Sequence, residues 1–370
     1  MKVSNLPSTA EVIIQPKEQF NFISILRAVA ALLVVWDHLA GFGTDQNKVN
    51  WEPLNLMRSY INTPLGIIQD FGFLGVVLFF VISGFIITHV AQRESRLEFA
   101  IKRVFRIYPP FILSIIIIVL AEYSYSFITT IPNPIKTYSG LDLLRVSTLT
   151  NYYWSPKPIV SGVAWTLAVE VLFYLLCLLI LPLLKKYYVL STLIILVICV
   201  GANHLFMEQT HPLYLLTASL SYVPFLLSGQ LLYFFWSKKI GLYSYLGLLT
   251  LTFLSIIDGL KTINTSFYAP DQSYASSFVY AYALFVILLL LEKQLKLPKF
   301  FRFFSDISYS LYLYHRNVGL LVLALLCRVM DYTLAMPLTF GLMCLVSYLS
   351  WRFVEKPSQI FARKIVNRQR

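Results

Sequence analysis

The sequence predicts an all-α membrane protein, a polytopic bundle of about ten transmembrane helices with both termini in the cytoplasm. Three observations predict this fold. Of the 370 residues, 58% are hydrophobic and only 13% are charged, and the mean hydropathy of +0.69 is far above that of a soluble globular protein. Apolar runs of membrane-spanning length recur along the chain. Basic residues collect at the ends of those runs, so the net charge of +12 marks topology and excludes a nucleic-acid surface.

The apolar runs of about 17 to 24 residues define the spans. We place them near residues 22–42, 71–91, 107–125, 162–184, 189–206, 213–236, 241–257, 275–291, 305–327 and 335–354. Lys and Arg then number 21 on the side of the termini and 7 on the other side, with two more inside spans. The positive-inside rule therefore predicts cytoplasmic termini.

The domain organisation follows from the same pattern. We expect a cytoplasmic N-terminal tail (1–21), one transmembrane domain (22–357) and a basic cytoplasmic C-terminal tail (358–370). The first twenty residues lack the apolar core of a signal peptide, so no cleavage is expected. The four cysteines lie in apolar runs without metal-ligand spacing, which predicts small core residues and no metal site.

The first span carries three ionisable residues, Arg27, Asp37 and His38. Each central charge in lipid costs about 2.5 to 3.5 kcal/mol, so the protein interior is expected to receive them. Arg27 and His38 return to within about 20° of one face, about 16 Å apart along the axis. Asp37 lies about 100° round from His38, so pairing of these two neighbours is not assumed. Alternatively, Arg27 snorkels to the interface and His38 bonds a neighbouring helix.

Small and basic residues mark the second span and the loop after it. Ser83 and Gly84 permit close approach of another helix, the favoured interpretation, or of a ligand. Arg103 and Arg106 share one helical face before Pro109, where we place the start of the third span. Such a pair can hold phosphates by bidentate contacts, although most pairs of this kind are positive-inside anchors.

The longest stretch predicted to be non-helical, 126–161, lies outside the cell membrane in this topology. It contains several proline and aromatic residues, among them Pro132, Pro156, Tyr152 and Trp154. This composition suits an ordered loop that caps the bundle and contacts a sugar, or equally a set of interfacial aromatic residues that anchor helix ends.

Two later spans also place polar groups in lipid. Glu170 lies about nine residues, or some 13 Å, below the outer end of the fourth span. A buried carboxylate must pair, protonate or function, and a functional role is favoured because no structural one is visible. The ninth span carries a polar stripe that is expected to face a cavity or another polar helix: Ser308, Tyr309, Tyr312, His315 and Arg316.

Six short motifs follow one another in order along the spans. They are Arg27 with His38, Ser83-Gly84-Phe85-Ile86, Arg103-x-x-Arg106 before Tyr108-Pro109, Trp165 with Glu170 and Phe173-Tyr174, Tyr309-Ser310-Leu311-Tyr312-Leu313 before His315, and Glu355-Lys356-Pro357. In these motifs, from Phe22 to Pro357, the sequence resembles acyltransferase family 3, integral-membrane enzymes that O-acylate cell-surface carbohydrates. It departs from the family pattern at Arg316-Asn317, where the family often has Trp-Pro, and in a single acidic residue at Glu170.

The resemblance implies an enzyme of the inner (plasma) membrane with no bound cofactor. Its donor is a cytoplasmic acyl-CoA, usually acetyl-CoA, and its acceptor is a hydroxyl of a surface polysaccharide or a lipid-linked glycan. His38 is then the general base or a covalent acyl carrier, and Glu170 orients His38 or the hydroxyl. Donor binding falls to Arg27, Ser83, Gly84, Arg103 and Arg106. Further candidates for the site are Asp37, Trp165, Tyr312 and His315.

The alternative is a transporter or flippase for an anionic or lipid-linked sugar, which uses intramembrane charges as a translocation path. The resemblance and the absence of a two-half sequence repeat favour the enzyme. A membrane sensor without chemistry leaves Arg27 and His38 unexplained.

Overall fold

The computed structural model describes residues 20–154, 160–263 and 274–368, which are helical without any strand. The predicted all-α class is therefore confirmed. The helices are α1 (Asn21–Trp36), α2 (Gly43–Asn47), α3 (Glu52–Met57), α4 (Thr63–Leu65), α5 (Gly72–Ala91), α6 (Arg96–Thr129), α7 (Gly140–Ser147), α8 (Asn151–Trp154), α9 (Ala164–Leu179), α10 (Leu181–Lys186), α11 (Tyr188–Phe206), α12 (Tyr214–Leu220), α13 (Val223–Trp236), α14 (Leu242–Thr262), α15 (Ala275–Leu290), α16 (Lys299–Tyr314), α17 (Asn317–Leu326), α18 (Tyr332–Ser350) and α19 (Lys356–Arg368). Three π-helical segments, Asp37–Phe42, Arg58–Asn62 and Trp351–Glu355, and two 3₁₀ segments, Gln69–Phe71 and Pro134–Thr137, join some of them.

Membrane-spanning length is reached by seven helical runs in the described ranges. They are Asn21–Asn47, Gln69–Ala91, Arg96–Thr129, Tyr188–Phe206, Tyr214–Trp236, Leu242–Lys261 and Tyr332–Arg368. Helices α9, α15 and α17 are apolar but shorter. The chain is therefore a multi-pass membrane protein. Each predicted span falls on a helix, while a count of ten spans and cytoplasmic termini stay predictions.

The third predicted span is longer than expected, because α6 runs for 34 residues with Pro109 and Pro110 inside it. Its start is set upstream by a capping box, in which Ser95 and Glu98 satisfy each other's backbone N–H. Pro109 has no N–H to offer the Phe105 carbonyl one turn earlier. The Ser358 hydroxyl of α19 donates to that carbonyl instead, at 2.9 Å. The predicted helix start at Pro109 is therefore wrong.

The ninth predicted span, 305–327, is not continuous. Helix α16 ends at Tyr314 and α17 begins at Asn317, so His315 and Arg316 form the break. Asn317 holds this break against the loop that leads into α9. Its Oδ1 accepts from the Gly162 N–H at 2.9 Å, and its Nδ2 donates to the Val160 carbonyl at 2.9 Å. Both polar residues of the break thus stand at a helix end, beside an external loop in the predicted topology.

The stretch 126–161 is largely helical where it is described, which corrects the prediction of a non-helical loop. It holds the end of α6, a 3₁₀ turn, α7 and α8, and a capping box of Ser139 and Asp142 starts α7. Tyr152 and Tyr153 donate their hydroxyls to the carbonyls of Ser161 and Ala168, at 2.8 and 2.7 Å. Pro156 and Pro158 lie outside the described residues. The stretch therefore packs onto the bundle near α9.

Helix α1 lies at the centre of the bundle, against α5 and α16. Its first N–H groups, of Asn21 and Phe22, donate to the Glu292 carboxylate at 2.9 and 2.8 Å, which caps the helix from the segment between α15 and α16. Arg27 contacts Ser308 and His38 contacts His315. The residue numbers of both partners increase from the first contact to the second. Helices α1 and α16 therefore run parallel, and their polar stripes face each other.

Candidate active site

Five helices converge on one cavity. Its walls are mainly apolar, and a few polar groups from α1, α5, α6, α9 and α16 point into it, which is the usual constitution of a small-molecule site. The lining residues are Arg27, Val76, Phe79, Phe80, Ile82, Ser83, Arg106, Thr166, Leu167, Glu170, Ser308, Tyr309 and Tyr312. Sequence-predicted donor and catalytic candidates from four separate motifs therefore meet in one place.

Two arginines and a carboxylate supply the charge of this cavity. Arg27 Nη2 donates to Ser308 Oγ at 2.9 Å. Glu170 accepts from Ser83 Oγ at 2.9 Å and from the Tyr174 hydroxyl in a short contact. Within the described residues Arg106 forms no hydrogen bond or ion pair, although Glu170 acts on it electrostatically. The Arg106 guanidinium is thus available to an anionic ligand.

The predicted arginine pair is split between two environments. Arg103 lies outside the cavity lining, with its Nη2 3.7 Å from Glu94 Oε2 and its guanidinium 5.5 Å from the centroid of the Phe99 ring. Lys102 also reaches Glu94, at 2.9 Å. Only Arg106 of the pair faces the cavity.

Gly84 and Trp165 also lie outside the cavity lining. A Cβ at Gly84 would overlap the Leu226 carbonyl, and one at Gly229 would overlap the Val81 carbonyl. These glycines let α5 and α13 pack backbone to backbone, the favoured interpretation of the small pair. Trp165 packs on Tyr222, with ring centroids 4.9 Å apart.

His38 and His315 form a contact pair, with His315 Nε2 3.1 Å from His38 Nδ1. Each imidazole also places Nδ1 3.0 Å from the carbonyl four residues earlier, that of Val34 or Leu311. A carbonyl only accepts, so in the neutral rings both Nδ1 atoms carry the hydrogen. His38 Nδ1–H is then shared between Val34 and His315, and the lone pair of His38 is on Nε2. That atom has no hydrogen-bond partner among the described residues, and the side chain is 19% exposed.

The backbone at His38 is not a regular α-helix. A π-helical segment begins at Asp37 and runs to Phe42, and such segments recur at functional sites. Asp37 Oδ2 lies 3.9 Å from His38 Nδ1, too far for a hydrogen bond. The Asp37 carboxylate instead packs on the backbone of Gly72, where any Cβ would overlap it.

Tyr312 joins the histidine pair to the cavity. Its hydroxyl lies 2.8 Å from Thr166 Oγ1, and its ring centroid lies 5.7 Å from that of His315 and 5.6 Å from that of Phe79. Tyr312, Thr166 and Phe79 all line the cavity. The Tyr312 ring thus lies between the histidine pair and the cavity, and the two parts form one continuous site.

Sequence reasoning did not single out Glu355 as a site residue. Its carboxylate is 4% exposed and accepts from the Ser310 hydroxyl at 2.9 Å, and it acts electrostatically on Arg27 and Arg106. The available signal was its position in the Glu355-Lys356-Pro357 motif, a carboxylate at the end of an apolar run. The negative charge of Glu355, which lies outside the cavity lining, therefore offsets part of the positive charge of the two cavity arginines.

Comparison with known proteins gives two matches. A family model described as an acyltransferase domain matches residues 20–352. Nodulation protein 10 of Rhizobium leguminosarum bv. viciae is 26% identical over 373 residues, which cover 94% of this chain and 96% of the relative. No solved structure matches. The family match includes every cavity residue and both histidines.

Proposed function

This chain belongs to the acyltransferase family whose model spans residues 20–352, and from that premise we propose that it moves an acyl group, acetyl in the first instance, from cytoplasmic acyl-CoA to a hydroxyl of an extracytoplasmic or lipid-linked carbohydrate. The proposal places the enzyme in the inner (plasma) membrane, between donor and acceptor. The observation that carries it is the His38–His315 contact, which leaves His38 Nε2 free to take a proton. The match to an acyltransferase family over residues 20–352 favours this enzyme over the transport alternative.

The proposed chemistry uses His38 as general base. His38 Nε2 takes the proton of the acceptor hydroxyl while the hydroxyl oxygen attacks the thioester carbonyl. The tetrahedral intermediate then collapses, the C–S bond breaks, and the CoA thiolate takes the proton from His38. The imidazolium formed in between keeps its Nδ1–H directed at the Val34 carbonyl and at His315 Nε2, both acceptors. Transfer through an acyl group on His38 would use the same nitrogen.

The cavity is the proposed place of the donor. Arg106 offers an unpaired guanidinium, Arg27 supplies a second positive charge, and Phe79 and Phe80 provide an apolar wall for the pantetheine arm. Guanidinium groups bind phosphate and polarised carbonyl oxygens well because their N–H groups form a planar fork. Glu170 is engaged with Ser83 and Tyr174, so its proposed role is to shape this cavity.

The test is acyl transfer by protein reconstituted in vesicles that contain acetyl-CoA, with mass spectrometry of a surface glycan preparation supplied outside. His38→Gln retains hydrogen bonding but cannot act as a base, so we expect transfer to fall by about 10² to 10⁴. The control is His204→Gln, a histidine whose side chain is 64% exposed on α11, which should transfer normally. Transfer by His38→Gln at the unmodified rate would show that His38 is not the base.

A further inference from the structure

Arg316 is fixed at the break between α16 and α17, at the end of the site where the acceptor arrives. Its guanidinium lies 5.4 Å from the centroid of the Phe42 ring, in the π-helical segment that follows His38. On its other side it occupies the space in which a side chain at Gly162 would stand. Asn317 ties the Gly162 loop to the same break through two hydrogen bonds. The guanidinium of Arg316 therefore lies between the Phe42 ring and the Gly162 backbone.

This guanidinium has no partner that satisfies its donors. In the described ranges the guanidinium of Arg316 forms no hydrogen bond and no ion pair, although the residue is more than half buried. Asp37 is the carboxylate that acts on it most strongly, yet it lies beyond ion-pairing distance. Arg58 provides the contrast, because its fork is taken up by Asp70, with Nη2 to Oδ2 at 2.6 Å and Nε to Oδ1 at 2.9 Å.

Removing an arginine from water without a partner is unfavourable, and a bound anion would offset that loss. The side chain also stands at the N-terminus of α17, whose dipole favours negative charge. Phe42, which lies under the guanidinium, is 44% exposed, so the position is open to a ligand from outside the bundle. The shape of the fork suits a carboxylate or a phosphate monoester, each of which offers two oxygens in one plane.

We propose that Arg316 binds an anionic group, a carboxylate or a phosphate, carried by the acceptor carbohydrate near the hydroxyl that is acylated. Arg316 follows His315 directly, and its guanidinium lies on the ring of Phe42, four residues after His38, so the anion would bind on the side of the proposed base. Arg316 is thus a specificity residue, and the acceptor is an acidic sugar. This inference rests on the proposed function for the identity of its ligand, but binding of the anion can be measured without acyl transfer.

A ground-state anion is favoured over the transient oxyanion of the reaction because of how Arg316 is held. The guanidinium lies between the Gly162 backbone and the Phe42 ring before any donor is bound, and neither residue lines the donor cavity. An oxyanion role predicts equal loss of rate with charged and neutral acceptors. A specificity role predicts loss with charged acceptors alone.

The binding test uses purified protein in detergent and three probes, methyl β-glucuronide, methyl glucoside 6-phosphate and the neutral methyl β-glucoside, measured by calorimetric titration. We expect the unmodified protein to bind a charged probe at least tenfold more tightly than the neutral one, and the stronger of the two charged probes identifies the anion. Arg316→Gln should lose this preference, a drop of roughly tenfold to a hundredfold. Gly162→Ala, which fills the place of the guanidinium, should lose it too. The control is Arg145→Gln, an arginine whose side chain is 44% exposed on α7.

The outcomes separate the two proposals. Equal binding of charged and neutral probes, or an unchanged preference in Arg316→Gln, overturns the anion site. A preference that depends on Arg316 without any acyl transfer from acetyl-CoA would leave the anion site standing and contradict the proposed function. Where transfer occurs, Arg316→Gln should raise KM for the charged acceptor and leave turnover of the neutral acceptor unchanged. A fall in kcat for both acceptors would assign Arg316 to the oxyanion and overturn the specificity role.

Discussion

At the scale of single residues, the site depends on which imidazole nitrogen carries the hydrogen. His315 Nδ1–H is committed to the Leu311 carbonyl, so His315 Nε2 can only accept from its neighbour, His38. In the proposed mechanism His315 is therefore a positioning residue. It would hold the His38 ring and stabilise the imidazolium formed when His38 takes a proton.

Replacing His315 tests that assignment. His315→Phe removes the acceptor, and a hydrogen bond to a charged group contributes about 1.5 to 3 kcal/mol, so we expect kcat to fall by roughly 10- to 150-fold. Donor KM should stay unchanged because His315 is not part of the cavity lining. His315→Gln, whose amide oxygen can accept, should recover part of kcat. Steady-state kinetics with varied acetyl-CoA measures both constants, and equal losses in the two variants with a raised KM would indicate a packing role.

Arg103 and Arg106, which lie in different environments, allow a second test at this scale. Arg106→Gln removes the unpaired guanidinium from the cavity and should weaken acyl-CoA binding by about 1.5 to 3 kcal/mol. Arg103→Gln is the matched control three residues away. Because Arg103 is paired with Glu94 outside the cavity, we expect little change in donor affinity. Equal effects of the two substitutions in a donor-binding titration would argue against a donor site defined by Arg106.

At the scale of helices, α6 and α19 are joined by a hydrogen bond that a proline makes necessary. Pro109 leaves the Phe105 carbonyl without its helical donor, and Ser358 supplies one at 2.9 Å. The Ser358 hydroxyl shares its one hydrogen with the Glu355 carbonyl, at 2.8 Å in the π-helical segment before α19, and the Phe105 and Phe361 rings pack beside it. The end of the chain thus stabilises the helix that carries Arg106.

A double-mutant cycle measures this contact. Ser358→Ala should lower the free energy of unfolding by about 1 kcal/mol, because a partly buried carbonyl loses its donor. In a Pro109→Ala background the new N–H at residue 109 can reach the Phe105 carbonyl, so the same substitution should cost less. Thermal unfolding in detergent gives the four stabilities. Additive effects would mean that Ser358 does not act through the Phe105 carbonyl.

Hydropathy predicted where helices lie but not where they break. Each span was visible because about 20 apolar residues are needed to cross lipid. The break after Tyr314 was invisible, since its cause is Asn317 holding a loop more than 150 residues earlier in the chain, between Val160 and Gly162. The early start of α6 had a local signal in Ser95 and Glu98, but Pro109 was the more obvious boundary and its cost is met by a distant residue.

At the scale of the whole molecule, the charge asymmetry predicts cytoplasmic termini, and single cysteines can test it. Leu141, 56% exposed on α7, should react as Leu141→Cys with a membrane-impermeant thiol reagent in intact cells. The exposed Lys364 on α19 should react as Lys364→Cys only after the membrane is opened. The expectation follows from the excess of Lys and Arg on the side of the termini. Labelling of Lys364→Cys in intact cells would reverse the topology.

The part of the site that could be predicted from the sequence is the part carried by one helix, the first span. The spacing of Arg27 and His38 predicted a shared stripe, and their partners are Ser308 of α16 and His315, which follows that helix. The separation of Arg103 from Arg106 was not predictable, because both face the same way on a helix and only tertiary structure brings Glu94 to one of them. Glu355 was hidden for the same reason, as its partners lie on α1, α6 and α16.

The contact between α1 and α16 determines when the candidate site can form during synthesis. The partners of Arg27 and His38 follow them by 281 and 277 residues, so at 5 to 20 residues per second the ribosome needs roughly a quarter of a minute to a minute to deliver them. Through that interval the first helix has neither of these partners, and its ionisable residues must be accommodated near the helix ends or beside helices made earlier. The candidate site is therefore completed late in synthesis, when α16 inserts beside α1.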